Sequence, residues 1–222
     1  VAEARRSPRS ARADATREAI LTAAERLFAE HGIADVTHRR IVEAAGQGNN
    51  AAVAYHFGTK EDVVRAIERK HAEHIDQLLA QRLLDVGDSA DLQDWIACLV
   101  RPLTDHLDAL GTPTWYARFC AQMMADPVYS KVVTRSALSS PELGTVLDGI
   151  KRCLPEIPAA VRAERAMMAR LLLNHTCAEY EAAFAEGRPV PRTNWAGVGA
   201  AIVEATTGLW RAPVMAATAG TG

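Results

Sequence analysis

Residues 37–60 read THRRIVEAAGQGNNAAVAYHFGTK, and the fold turns on this stretch. Thr37 has a hydroxyl that can accept from a first-turn backbone N–H, which marks a helix start. Ile41, Ala44 and Ala45 fall at i, i+3 and i+4, giving a short helix one apolar face. Gly46 follows where a chain leaving a helix often needs positive φ. Gln47-Gly48-Asn49 is turn chemistry, and Asn49 or Asn50 can cap the next helix. That helix carries residues 51–57, Gly58 ends it, and Thr59 caps a longer helix from Lys60. Two short helices about a glycine-containing turn follow the helix-turn-helix plan, whose second helix enters the DNA major groove. The same pattern taken alone also fits an ordinary corner between two packed helices.

The segment before it narrows the choice. Ile20, Ala23, Ala24, Leu27 and Phe28 form the i, i+3, i+4, i+7, i+8 stripe of a core-facing helix over about 16–31. Phe28 and Phe57 are expected to plug a small three-helix core, with Ile33 and Val36 covering its edge. From Thr16 to Lys70 the chain resembles the N-terminal domain of the TetR (tetracycline repressor) family of bacterial transcription regulators. The resemblance lies in REAILTAAERLFAEHG closed by Gly32, in Thr37, Ile41, Ala45 and Gly46, and in Tyr55-His56-Phe57 followed by Thr59-Lys60-Glu61. It departs at two points: the turn from Gly46 to Tyr55 is one residue longer than usual, and Ala54 stands where the family often has a phosphate-touching aromatic.

Composition sets the class. The 222 residues suffice for a sizeable core, and 49% hydrophobic with 23% charged residues is ordinary for a soluble globular protein. No apolar run approaches the roughly 20 residues that span a bilayer, and residues 1–30 lack a signal-peptide apolar segment. Long stretches of helical periodicity without strand-type alternation give an all-α class. Net charge is −2, with an excess of two positive charges in residues 1–60 and four negative in the remainder. Attraction to DNA therefore needs a local patch. Cys98, Cys120, Cys153 and Cys177 show no metal-ligand or paired spacing, and read as buried free thiols in a cytoplasmic protein.

Three regions are expected: a basic disordered arm at 1–14, a helix-turn-helix DNA-binding domain at 15–60, and a helical domain at 61–222. Arg5, Arg6, Arg9 and Arg12 in the arm read either as DNA contacts or as a solvated tail. Further helices are expected over about 59–86, 91–110 (kinked by Pro102), from Thr112-Pro113 to 126, 127–135, 140–153, 159–186 and, capped by Thr193, to 211. Small residues at helical spacing on the last two permit close helix packing, within one chain or across a dimer. The resemblance implies the dimer, with two reading helices about 34 Å apart over a near-palindromic double-stranded DNA operator.

The DNA-binding candidates are Thr37, Arg39, Gln47, Asn49, Asn50, Ala51, Tyr55, His56 and Lys60. Amides pair bidentately with adenine, small alanines permit close approach, and hydroxyl, imidazole and cationic groups suit phosphates. Either asparagine also reads as a cap alone, and His56 as a packing residue. The effector-pocket candidates are Trp95, Trp115, Arg118, Phe119, Gln122, Met123, Asn174 and His175. Trp115, Phe119 and Gln122 share a helix face, and apolar walls with few polar groups suit a small molecule. Aromatics and methionines at this spacing equally form plain core, and His175 equally fits a dimer interface. No GxSxG, HExxH or glycine-rich phosphate loop is present. His71 reads as a solvated partner of Glu68, so no metal or other cofactor is expected. The sequence reads as an all-α, homodimeric regulator, usually a ligand-responsive repressor. The alternative is a helical small-molecule-binding or catalytic protein with an idle helix-turn-helix domain.

Overall fold

The computed structural model describes residues 8–49, 51–131 and 140–214, with side chains from residue 12 onward. Arg5, Arg6, Asn50 and the tail at 216–222 lie outside the described residues, as does the side chain of Arg9. The described chain is helix and turn with no strand. Its helices are α1 (Pro8–His31), α2 (His38–Ala44), α3 (Ala52–His56), α4 (Lys60–Val86), α5 (Leu92–Leu110), α6 (Tyr116–Ala125), α7 (Pro141–Arg152), α8 (Ala159–Glu186) and α9 (Trp195–Arg211). A further helical run occupies 127–131, and the rest of the helix expected to 135 lies outside the described residues.

The first correction concerns α1. It begins at Pro8 and not near residue 16, so half of the expected disordered arm is helical, with Arg12 exposed upon it. Proline suits a first helical turn because its missing N–H would have no intrahelical partner there. The expected apolar stripe holds: Ile20, Ala24 and Phe28 are fully buried, and Leu27 nearly so. They meet Ile33, Val36, Ile41, Val42 and Val53, and then Val63, Val64 and Ile67 of α4, in one core.

In the second half α5 is the central rod, packed against α4, α7 and α9, while α6 lies between α1 and α8. The helix continues through Pro102, which is buried. At Gly149 of α7 a Cβ would lie 2.1 Å from the ring of Trp95. That ring is buried and donates from Nε1 to the Ser89 carbonyl at 2.9 Å, so it cannot retreat without losing a bond.

The start of α6 differs from expectation. Thr112-Pro113 is a cis turn outside the helix, and Trp115 at the N-cap gives no side-chain bond. The cap comes instead from α8. Glu181, 1% exposed, accepts from the backbone N–H groups of Ala117 (3.0 Å) and Arg118 (2.9 Å) and from the Thr114 hydroxyl (3.3 Å). The Arg118 side chain closes the arrangement, with Nε donating to Glu181 at 3.1 Å and Nη2 to the Thr114 carbonyl at 2.8 Å. A carboxylate on a helix N-terminus satisfies free donors and the helix dipole together. Arg165 does the converse at the other end of the bundle, donating to the Trp210 carbonyl (2.8 Å) and Ala212 carbonyl (2.6 Å) as α9 ends. Asn194, not Thr193, caps α9, accepting from Gly197 N–H at 2.8 Å.

Gly149→Ala should force Trp95 from its seat. Overpacking of this kind destabilises by about 1–3 kcal/mol. The expected result is a lower urea midpoint with an unchanged slope.

Candidate nucleic-acid interface

α2 and α3 are positioned by capping at one end and by burial on one face. Thr37 accepts the Arg40 N–H at 3.3 Å, and Ile41 and Val42 are buried. Gly46 leaves α2 at φ 65°, as the turn required. The Asn49 side chain accepts the Ala51 N–H at 2.9 Å, and its backbone carbonyl takes the Ala52 N–H at 2.9 Å. Asn49 therefore closes the turn into α3 through its oxygens, which leaves its amide nitrogen unused in that turn. Gln47, half-buried, spends its amide nitrogen on the Ala45 carbonyl at 3.1 Å.

α3 divides cleanly into two faces. Ala52 and Val53 are buried, whereas Ala51, Ala54 and Tyr55 face outward, Tyr55 being 83% exposed. His56 is half-buried, with its ring edge-on to Tyr55 at 5.1 Å between centroids. Arg39 is exposed and paired with Glu43 at 2.8 Å. Lys60 is where the geometry differs from a simple phosphate contact: its Nζ donates to the Ile33 carbonyl (2.9 Å) and Ala34 carbonyl (3.0 Å), tying the start of α4 to the α1–α2 loop.

One contributor escaped the sequence reading. Arg17 of α1 donates from Nη1 to the His56 carbonyl at 2.9 Å and lays its guanidinium over the Phe57 ring at 4.2 Å. It thus occupies a free carbonyl at the end of α3 and holds that helix to α1. Nothing local to Arg17 marks this role, because the contact spans 39 residues. Thr59 caps α4 reciprocally: Asp62 Oδ2 accepts its N–H at 3.1 Å and its hydroxyl at 2.6 Å. Those bonds, the hydroxyl's first, hold the Asp62 carboxyl below its ordinary range.

Residues 20–67, which span this unit, match the family described as bacterial regulatory proteins, tetR family. This segment is a TetR-family domain. It is 38% identical over 87 residues to the HTH-type transcriptional repressor AcnR of Corynebacterium glutamicum, covering 37% of this chain and 46% of that protein. AcnR of Corynebacterium diphtheriae is 34% identical over 86 residues, covering 36% and 45%. The matched region thus spans about half the length of these curated relatives. A solved TetR-family regulator from Streptomyces coelicolor A3 aligns over 93% of this chain and 98% of that one, at 18% identity and a TM-score of 0.41. That level of likeness is too low to bear on function.

The residues expected to form an effector pocket do not converge. Phe119 and Met123 are buried, and Phe119 stacks on Phe28 of α1 at 6.2 Å and on Tyr116 at 6.3 Å. Trp95 lies against Gly149 of α7, Arg118 is taken up by Glu181, and Gln122 is exposed. Trp115 lines a cleft of about 530 Å³ with α1 and α2 residues. Asn174 donates to the Arg170 carbonyl at 2.9 Å, and His175 is exposed. The shared helix face was real, but it docks α1 and not a cavity. His71 is a second correction: it is buried against Glu25 of α1 at 3.0 Å, not solvated beside Glu68. Among the described residues no His, Cys, Asp and Glu cluster suits a metal ion, and no helix is long and apolar enough to cross a membrane.

Arg17→Met keeps the aliphatic stem and removes the bond to His56. Loss of one such bond should lower stability by about 1 kcal/mol. Amide hydrogen exchange should speed up in α3 before it does in α5.

Proposed function

We propose that the chain is a DNA-binding transcriptional repressor that reads a palindromic operator as a homodimer. The observation that carries the reading is the two-faced α3, with Ala52 and Val53 in the core, Tyr55 standing almost free in solvent and the Asn49 turn leading into it. The AcnR relatives, named as transcriptional repressors, support it over the matched third of the chain. In this reading 15–60 is the DNA-binding unit and 61–222 the dimerising and effector-responsive one.

In this reading the Asn49 amide nitrogen and Ala51 meet base edges, while Tyr55, His56 and Arg39 meet phosphates. Thr37 and Gln47 hold the turn, and Lys60 braces the loop while keeping one N–H for a phosphate. The dimer would use an outward face of α8 left exposed among the described residues: Met168, Leu171 and His175 are exposed in register, as are Ala205 and Gly208 of α9. His175 belongs to that face, not to a pocket. An effector would act by favouring one spacing of the two reading helices, which requires differential affinity.

Selection of DNA from a random pool should return a sequence with two-fold symmetry. Against it, Asn49→Ser keeps a capping oxygen and should relax preference by about 1–3 kcal/mol at one position per half-site. Tyr55→Phe should weaken all sequences alike without changing the salt slope, whereas Arg39→Gln should reduce the slope by about one. Leu171→Glu should yield monomers in sedimentation. An unenriched pool would support the idle-domain alternative.

A further inference from the structure

Glu25, His71, His106 and His74 form one continuous hydrogen-bonded chain across α1, α4 and α5. Glu25 Oε2 lies 3.0 Å from His71 Nε2, His71 Nδ1 lies 2.8 Å from His106 Nε2, and His106 Nδ1 lies 2.9 Å from His74 Nδ1. Glu25, His71 and His106 are buried, and half-buried His74 is the member nearest solvent. Tyr116 of α6 stacks on His71 at 3.9 Å and meets His106 edge-on at 5.5 Å. None of these groups lies on the DNA-reading surface.

The chemistry of imidazole fixes the protons. A neutral ring has one donor and one acceptor nitrogen, and a carboxylate only accepts. With Glu25 ionised, His71 must donate from Nε2 and accept at Nδ1. His106 must then donate from Nε2 and accept at Nδ1, and His74 must donate from Nδ1. His74 Nε2 is left with a lone pair as the entry point. A proton arriving there can be relayed: the N–H of His74 Nδ1 breaks as one forms at His106 Nδ1, and the N–H of His106 Nε2 breaks as one forms at His71 Nδ1. His71 becomes an imidazolium between Glu25 and His106, and every hydrogen bond survives. A second proton leaves net positive charge buried, and on His106 it also sets two N–H donors face to face. Such charge is opposed by desolvation.

We propose that this chain is a proton-operated latch: it fastens α1 and α4 to α5 when empty or singly loaded, and a second proton releases α1. The consequence for DNA rests on the repressor reading, because α1 also carries Arg17, about 12 Å along the helix from Glu25, which holds α3. Burial, followed by the charges of His71 and His74, lowers His106 from 6.5 to about 4. The released chain therefore binds more protons than the latched one between about pH 6.5 and 4, and the latched form loses stability as pH falls through that window. The other groups around the chain do not reverse this sign. Burial raises Tyr116 and Cys120 of α6, which stay neutral; it also raises Glu68 of α4, whose contribution opposes that of His106 and is the smaller of the two. Glu181 of α8 is held by α6, and Asp105, beside His106, pairs with Arg82 at 2.6 Å.

Two measurements on the full chain test the latch. Long-range nitrogen–proton NMR at pH 7.5 should show the Nε2–H tautomer at His71 and His106 and the Nδ1–H tautomer at His74; any other pattern overturns the proton order. Hydrogen exchange corrected for chemical rate, from pH 7.5 to 4.5, should show α1 around Glu25 opening up to tenfold faster per pH unit for each proton taken up. His106→Gln can still donate and accept but cannot titrate, and should flatten that dependence; an unchanged dependence overturns the proposal. Should that variant not fold, Glu25→Gln decides: losing the carboxylate charge must move opening to higher pH, and no movement overturns the latch. DNA affinity on a selected site should fall in step with opening. A normal opening profile without any specific DNA binding would instead sink the repressor reading and leave the latch standing.

Discussion

The Glu181 carboxylate, buried at the start of α6, is the constraint from which the rest of the arrangement follows. A lone buried carboxylate is strongly unfavourable, so its position is fixed by the donors that satisfy it: two backbone N–H groups, the Thr114 hydroxyl and Arg118. Those donors set where α6 begins and which way it points. α6 in turn presents Phe119 to Phe28 and Tyr116 to His71, which seats α1 and α4. α1 then carries Arg17 to the end of α3. The path from the C-terminal bundle to α3 is thus one of direct contacts.

The tetR-family match accounts for the α1–α4 unit, where the matched residues lie. It does not account for the interior of the second half, which is filled differently from a ligand-binding cavity at the residues considered. Trp95 occupies the space that a side chain at position 149 would need, and Phe119 and Met123 face the docked α1. Trp115 instead lines a cleft with residues of α1 and α2.

The legible part of the sequence was the part governed by neighbours in the chain. Thr37, Gly46, Thr59, Ser140 and Gly187 mark helix ends by local hydrogen bonding or backbone conformation, and they do so in the structure. Thr112-Pro113 misled because its local signal for a helix start was outweighed by a partner 64 residues away at Glu181. The same holds for His71: i+3 from Glu68 along the helix, it looked solvated, yet its partners come from α1 and α5. His106 carried a weak signal, lying three residues after Leu103 on an apolar face. Arg17 and Glu25 carried none, since they are two among many charged residues along α1.

The brevity of α3 has a consequence for genetics. Five residues without a side-chain N-cap of their own are too few to stay helical in water, so this element exists only while its neighbours hold it. Under the proposed function, lesions in Phe28 or Ile20, both fully buried, would abolish repression as completely as lesions at the contact surface. A reporter screen alone would then not map the DNA footprint, and a peptide copied from the segment would make a poor competitor.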